Sequence, residues 1–409
     1  MKAKKAPNNV TSRAPGDRIK VLHLGFEDPQ MPGAGGGSVR THEINKRLVA
    51  QGTDVTVLTT RYRGWTARTQ DGVQYIPIGF GSGSTRLSRL LGYCLWLPAE
   101  VRKRRASTDL VVEDFFAPFS TMAAPLWTGK PTVGVVQWLH AREKARQYKI
   151  PLHWIEYAGV RQHRRMVAVS QATAGQLLRM NPGAHVTVIA NGVDRAALKV
   201  PWVVGQDIVY LGRLEFVGKG LDLLLQAWAE AAKHIDGTLI IAGTGPDERC
   251  IRDAVIAAGL SNRVRLSGWV TGREKFALLG AARLAVIPSR AETFGMVALE
   301  SLASGTPVIA FNIPGLREVI APGCGWLVEP FDVGAFATEL VKRYSADADL
   351  AAAGLAGRTF AATLNWDDLA SLQLNVYRAV VAEPSAPPPA VKRAGKKGQT
   401  HEPSHPVRP

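Results

Sequence analysis

Two tandem α/β domains, each a doubly wound parallel sheet facing the other across a cleft, are the fold the sequence predicts. Three observations predict it. The chain has 409 residues, more than a single core usually fills, and 46% of them are apolar, an ordinary share for a globular protein. Short β-branched runs alternate with helical patterns along most of its length, as a parallel sheet covered on both faces requires. The alternation breaks once, over 191–205, where "NGVDRAALKVPWVVG" sets Gly and Pro between two series of it, and this stretch is read as the interdomain linker.

Residues 1–18, opening with "KAKK" after Met1, are expected to form a disordered basic tail. The first domain, 19–190, begins with "IKVLHLGF" as a strand, then a glycine-rich loop, then the helix "SVRTHEINKRLVAQG". Val39, Ile44, Leu48 and Val49 recur there at helical spacing before Gly52. "DVTVLTT", "DLVVED", "PTVGVV", "MVAVS" and "VTVIANGVD" follow as strands, with a helix from Gln171. The second domain, 206–365, repeats the scheme. Its strands are "DIVYLGR", "TLIIAGTG", "VRLSG", "LAVIPS" and "TPVIAF"; helices lie between them, one of them in "RAETFGMVALESLASG". A last amphipathic helix over 366–382 is expected to pack back across the domains. Residues 383–409, Pro-rich and basic, read as a second disordered tail.

Composition narrows the function classes. Cys94, Cys250 and Cys324 are scattered without metal-ligand spacing, which argues against a disulfide framework or zinc site and fits a reducing cytoplasm. The N-terminus lacks the apolar stretch of a signal peptide, and no apolar run approaches bilayer length. The formal charge of +16 sits partly in the tails, which are read as solvated rather than bound to nucleic acid or lipid.

In open α/β sheets ligands bind beyond the carboxyl ends of the strands. At one such end, "GRLEFVGKG" (212–220) sets Arg213 and Lys219 among three glycines, cations on a pliable backbone that suit a diphosphate. At another, "RAETFG" leads into a helix expected to begin at Gly295. Glu292 then lies in the loop and Glu300 about a turn and a half inside. Bare N–H groups near Phe294, Gly295 and Met296 would form an anion site, while carboxylates accept from hydroxyls. The pair would hold polyols on either side of a diphosphate. Taken singly, each feature has a plainer account: solvated loop cations, a dipole partner for Glu292, an exposed helix charge for Glu300. In the first domain Gly35, Gly36 and Gly37 stand between strand and helix, without dinucleotide GxGxxG spacing.

Together these residues resemble the retaining glycosyltransferases of family 4: Arg213, Lys219, Glu292 and Glu300 eight residues apart, the "NGVD" link and the "GGG" loop. The resemblance runs from about Ile19 to Ala382. It implies the GT-B fold, with the acceptor mainly in the first domain and a nucleotide-sugar donor in the second. Arg213 and Lys219 would neutralise the diphosphate and Glu292 the hydroxyls of the transferred sugar, and these three are the candidate catalytic residues. Glu300 would hold the ribose, the amides of Phe294, Gly295, Met296 and Val297 would face sugar and phosphate, and Gly36 and Gly37 would lie near the β-phosphate. It further implies a carbohydrate or lipid-linked acceptor and no metal cofactor.

The family usually carries a histidine at the end of the fourth strand of the first domain. Here Gln137 stands at that spacing and His140 three residues on, so either is a candidate donor-sugar contact and neither is assigned as a base. "DAD" at 347–349 is taken as chance. A basic, apolar stretch over 84–107, interrupted by Pro98, fits either a helix packed on the sheet or peripheral contact with an anionic membrane. Trp138, Trp154 and Tyr157 fit an acceptor pocket or core aromatics equally. Rival readings are a GT-B nucleotide-sugar epimerase and a non-catalytic scaffold for polyanions; a glycosidase using the two glutamates leaves Arg213 and Lys219 unexplained.

Overall fold

The computed structural model describes residues 18–80, 85–116, 120–139 and 151–383. Nearly all of both expected tails, and His140, lie outside the described residues.

The first sheet holds β1 (Lys20–Leu24), β2 (Asp54–Thr60), β3 (Arg68–Gln70), β4 (Val73–Ile78), β5 (Leu110–Asp114), β6 (Thr132–Val136), β7 (Arg165–Ala168) and β8 (His185–Val188). They lie in the order β3-β4-β2-β1-β5-β6-β7-β8. Only β3 runs antiparallel, in a hairpin with β4 closed by Asp71 and Gly72, both with positive φ, as a tight two-residue turn requires. The second sheet is wholly parallel: β9 (Ile208–Leu211), β10 (Leu239–Ala242), β11 (Val264–Gly268), β12 (Leu284–Ile287), β13 (Val308–Phe311) and β14 (Gly325–Val328), ordered β11-β10-β9-β12-β13-β14.

The strands are runs of Val, Ile and Leu because both faces are covered. On one face of the first sheet Val21, Val55, Val57, Val112 and Val133 pack with Trp366, Leu369, Leu374 and Tyr377. On the other, Leu22, Leu24, Leu58 and Ile78 meet Tyr93, Leu97 and Val101 of the Arg86–Arg104 helix. The final helix, Trp366–Ala382, thus belongs to the core of the first sheet although it follows the second in sequence. Pro98 sits inside the Arg86–Arg104 helix and does not end it.

Several contacts tie the linker and the two halves together. The Val193 amide donates to the Leu364 carbonyl at 2.9 Å. The Glu318 carboxylate accepts from the amides of Gln171 (2.6 Å) and Ala172 (2.7 Å), an acid at the positive end of the Gln171–Met180 helix. Gly192 lies against the Trp366 ring, where an added Cβ would stand 2.6 Å from Cδ2.

Trp366 is buried among the first sheet's valines, so Trp366→Ala is expected to cost about 3–5 kcal/mol. Urea unfolding followed by circular dichroism should show the midpoint fall. A variant unfolding like the parent would mean the last helix does not hold this core.

Candidate active site at the interdomain cleft

Each sheet has one place where the strand order reverses, between β1 and β5 in the first and between β9 and β12 in the second. There the connecting loops leave to opposite sides and open a crevice at the carboxyl ends. Residues singled out in the sequence stand at these crevices: Arg213 follows β9, Glu292 follows β12 and the glycine loop follows β1. Asp114, which the sequence reading did not single out, ends β5.

The second domain supplies the charged half. Lys219 closes the short Phe216–Lys219 helix, and its ammonium lies 2.6 Å from Glu292 Oε1, which also accepts from Ser289 Oγ at 2.9 Å. Glu292 Oε2 has no donor among the described residues. Gly220 has φ 66°, and a Cβ there would fall 2.0 Å from the Pro288 carbonyl oxygen, so the turn after Lys219 has room only for glycine. Arg290 clips this turn to the β12 loop. Its guanidinium donates to both Asp222 oxygens and to the Phe216 carbonyl, each at 2.7 Å, and its amide donates to the Gly218 carbonyl at 3.0 Å. The Tyr210 hydroxyl donates to the Arg213 carbonyl at 2.8 Å. The Arg213 side chain is exposed and meets no carboxylate among the described residues.

The helix after Glu292 spans Met296–Ala303, one residue later than the sequence predicts, with Gly295 at φ 87° as its cap. Its first backbone bond runs from Leu299 to Gly295, so the N–H groups of Met296, Val297 and Ala298 have no acceptor within the helix. Phe294 is buried beneath them. Glu300, one turn on, pairs through Oε1 with Lys275 Nζ at 2.7 Å, and its Oε2 has no donor among the described residues. Burial pushes the Glu300 carboxyl above its ordinary range, and Lys275 only partly offsets this.

The first domain closes over this helix start. A Cβ at Gly36 would lie 3.3 Å from Met296 Cγ, and one at Gly37 3.5 Å from Gln137 Oε1. Beneath them runs a buried polar chain that fixes how Gln137 is presented. Burial pushes the Asp114 carboxyl up, but His23, the Thr41 hydroxyl and Arg40 overcome it and hold the group below the usual carboxylate range. An ionised Asp114 only accepts, so the Thr41 hydroxyl donates to it, at 2.7 Å. Thr41 can then only accept from Gln137, whose Nε2 donates at 3.2 Å. Gln137 therefore turns its carbonyl Oε1 toward the glycine loop. Arg40, which is buried and acts on Asp114 through charge, donates to Gln373 at 3.0 Å, and Gln373 reaches the Tyr377 hydroxyl at 2.6 Å.

A cavity of about 350 Å³ opens between the domains beside Glu292 and Thr293, under Leu139, Thr173, Gln176 and Phe331. A larger one, about 690 Å³, lies by Lys20 and Asp54 at the amino ends of β1 and β2, away from every candidate residue. Other expectations are redrawn. Trp154 and Tyr157 are exposed, so they are not core aromatics. Asp347 and Asp349 occupy the first turn of the Asp347–Thr363 helix and pair with Arg283 and Arg343, a structural use. Sequence reasoning missed Lys275, Arg290 and Asp222, whose partners lie 25 and 68 residues away.

The chain matches two family models, "Glycosyltransferase Family 4" over residues 34–197 and "Glycosyl transferases group 1" over 205–346. It is 27% identical over 410 residues to the glycogen synthase of Mycobacterium tuberculosis, covering 91% of this chain and 97% of that one. It is 28% identical over 426 residues to the D-inositol 3-phosphate glycosyltransferase of Nocardiopsis dassonvillei, covering 92% and 98%. Among solved structures, sucrose-phosphate synthase from Thermosynechococcus elongatus superposes with a TM-score of 0.76 at 22% identity, over 89% of this chain and all of that one. Anabaena HepE, crystallised with UDP-glucose, gives 0.68 at 18% identity, over 88% and 100%. The two models describe the two halves of one GT-B architecture, and the chain is a glycosyltransferase of the group 1, family 4 type.

Proposed function

We propose that the enzyme transfers a hexose from UDP- or GDP-hexose to an acceptor hydroxyl, with retention of configuration and without a metal ion. One observation carries the reading. The helix start at Met296, whose first amides have no acceptor within the helix, lies between two glutamates that each keep one oxygen without a donor among the described residues, and Gly36 of the other domain packs against it.

In this reading the diphosphate takes the free amides of Met296 and Val297 and the charges of Arg213 and Lys219. Glu300 accepts from the ribose hydroxyls and Glu292 from the hexose, each through its open oxygen. Gln137 Oε1 accepts from a further sugar hydroxyl. The bond from the anomeric carbon to the β-phosphate oxygen breaks, and its electron pair leaves with the diphosphate. The acceptor oxygen bonds to that carbon from the same face, and its proton passes to the departing phosphate. Two cations already in place supply the countercharge a metal otherwise gives. A nucleotide-sugar epimerase would share the diphosphate clamp, but the two open carboxylate oxygens favour transfer.

Charge growing on the leaving group makes Arg213 and Lys219 transition-state contacts. Arg213→Gln and Lys219→Met are each expected to lower kcat about 10²–10³-fold with a smaller change in KM. EDTA should leave the rate unchanged, and anomeric proton couplings in the product should match the donor's. An inverted product, or activity abolished by EDTA and restored by magnesium, would end this reading.

A lipid-linked acceptor reached at an anionic membrane surface on the cytoplasmic side is favoured by one further observation. The Arg86–Arg104 helix packs Leu90, Tyr93, Leu97 and Val101 inward but leaves Leu87 (64%), Leu91 (46%), Leu95 (64%) and Trp96 (46%) exposed, with Arg102, Lys103 and Arg104 in its last turn. No helix of the described residues is long and apolar enough to cross a membrane. Vesicles containing phosphatidylglycerol should pellet the protein, and Leu91→Asp with Leu95→Asp should abolish pelleting while transfer to a soluble acceptor persists. Equal pelleting of parent and variant would remove the membrane reading.

A further inference from the structure

We infer that the cavity of about 350 Å³ between the domains seats a neutral sugar ring of the acceptor, next to the ring that receives the hexose, and that Phe331 is its aromatic wall. This rests on the transferase reading and deepens it: the acceptor carries at least two sugar rings. Strand order separates the cavity from the nucleotide clamp. Starting from β12, which Glu292 follows, Arg213 lies toward β9, and Lys275, the partner of Glu300, belongs to the helix after β11 on the same side. The cavity lies the other way, because Asn312 follows β13 and Phe331 follows β14. Leu139 and Gln176 of the first domain face them across it. A nucleotide held by Arg213 and Glu300 therefore leaves this space open, while a molecule that meets the hexose beside Glu292 can enter it. The walls are joined. Glu318 of the Pro314–Val319 helix binds the Gln171 and Ala172 amides, and a Cβ at Gly315 would stand 2.2 Å from the Glu292 carbonyl oxygen.

Phe331 stands in a turn where glycine belongs. The Asp332 amide donates to the Glu329 carbonyl at 3.2 Å, Pro330 is the second residue, and Phe331, the third, has φ 68°. That pattern is a type II turn, whose third position favours glycine. Phe331 is the only aromatic among the described non-glycine residues with positive φ, and a bulky side chain there is strained. Core packing does not account for it. The Phe311 ring that it meets at 5.7 Å is already met by Phe336 at 5.0 Å, and Phe331 stays 47% exposed. The polar groups of the cavity are amides. Arg317 Nε donates to Asn312 Oδ1 at 2.8 Å, which leaves the Asn312 NH₂ group as a donor, and the exposed Gln176 amide has no partner among the described residues. The charges at its edge are matched, Arg290 with Asp222 and Glu292 with Lys219. An aromatic face, free amides and paired charges suit a pyranose, whose C–H face packs on a ring and whose hydroxyls pair with amides. They do not suit a phosphate or carboxylate.

The test uses an array of mono-, di- and trisaccharides of glucose, galactose, mannose and N-acetylglucosamine, probed with the enzyme saturated with UDP or GDP and followed by calorimetric titration. At least one disaccharide is expected to bind about tenfold tighter or more than its own monosaccharide. Phe331→Gly should lose that preference and Phe331→Trp should keep it. Glycine suits φ 68°, so the melting temperature of Phe331→Gly should equal or exceed the parent's, and its nucleotide affinity is the control for an intact clamp. Equal binding of all chain lengths, or a preference that survives Phe331→Gly, overturns the subsite. A variant that instead changes discrimination between UDP-glucose and UDP-N-acetylglucosamine, with no effect of acceptor length, gives the cavity to the donor and also overturns it. Failure of every nucleotide to bind would count against the transferase reading, while the array probed without nucleotide still reads the sugar subsite.

Discussion

The ion pair between Lys219 and Glu292, 2.6 Å across the crevice between β9 and β12, is the contact on which the rest of the site depends. It joins the loops of two neighbouring strands where the sheet order reverses, and so links the loop after β9 to the loop after β12. Arg290 and Asp222 lock the same two loops from behind, and Gly220 lets the chain pass under the Pro288 carbonyl. In the proposed chemistry the pair has a second consequence. Lys219 occupies one oxygen of Glu292 and leaves the other for a sugar hydroxyl, while its remaining N–H groups are available to phosphate. Glu300 and Lys275 repeat the arrangement beyond the helix start.

The first domain contributes geometry more than charge. Its glycine loop reaches Met296 because Gly36 has no side chain to hold the domains apart, and Gln137 is oriented by a hydrogen-bond chain with one consistent direction. Asp114 accepts from Thr41, and Thr41 accepts from Gln137. Arg40, which acts on Asp114 through charge, donates separately to Gln373, which reaches Tyr377 on the last helix. That helix follows the second domain in sequence and packs into the first domain's core, so the groove wall is braced from the far end of the chain. Each hydrogen bond in this network favours one arrangement over its alternatives, because leaving a buried member unpaired costs about 1–3 kcal/mol.

Most of the fold was legible because parallel strands buried on both faces read as runs of Val, Ile and Leu between helical patterns. The β3–β4 hairpin escaped notice although Asp71-Gly72 is a strong turn signal, since β3 has only three partly exposed residues. β14 escaped because "GWLV" has no flanking alternation to mark it. Arg213, Lys219 and Glu292 could be singled out because each sits beside a strand end or helix start, and Glu300 because it lies one turn inside the helix that follows Glu292, positions that sequence pattern locates well. Lys275 could not. It is a lysine within a helix, indistinguishable from a solvated one until the fold sets it against Glu300. The orientation of Gln137 was equally hidden, because it follows from hydrogen bonds among strands and helices nearly a hundred residues apart in the chain.

The central claim is that this cleft clamps a nucleoside diphosphate between two glutamates without a metal ion. The most direct measurement is calorimetric titration of UDP, GDP, ADP and dTDP, with EDTA and with magnesium, into the parent enzyme and Glu300→Ala. The account predicts that at least one nucleotide binds equally well in both conditions and loses about tenfold or more in affinity in the variant, as removal of the ribose hydrogen bonds requires. Binding that needs magnesium, or that is unchanged by the substitution, would contradict it.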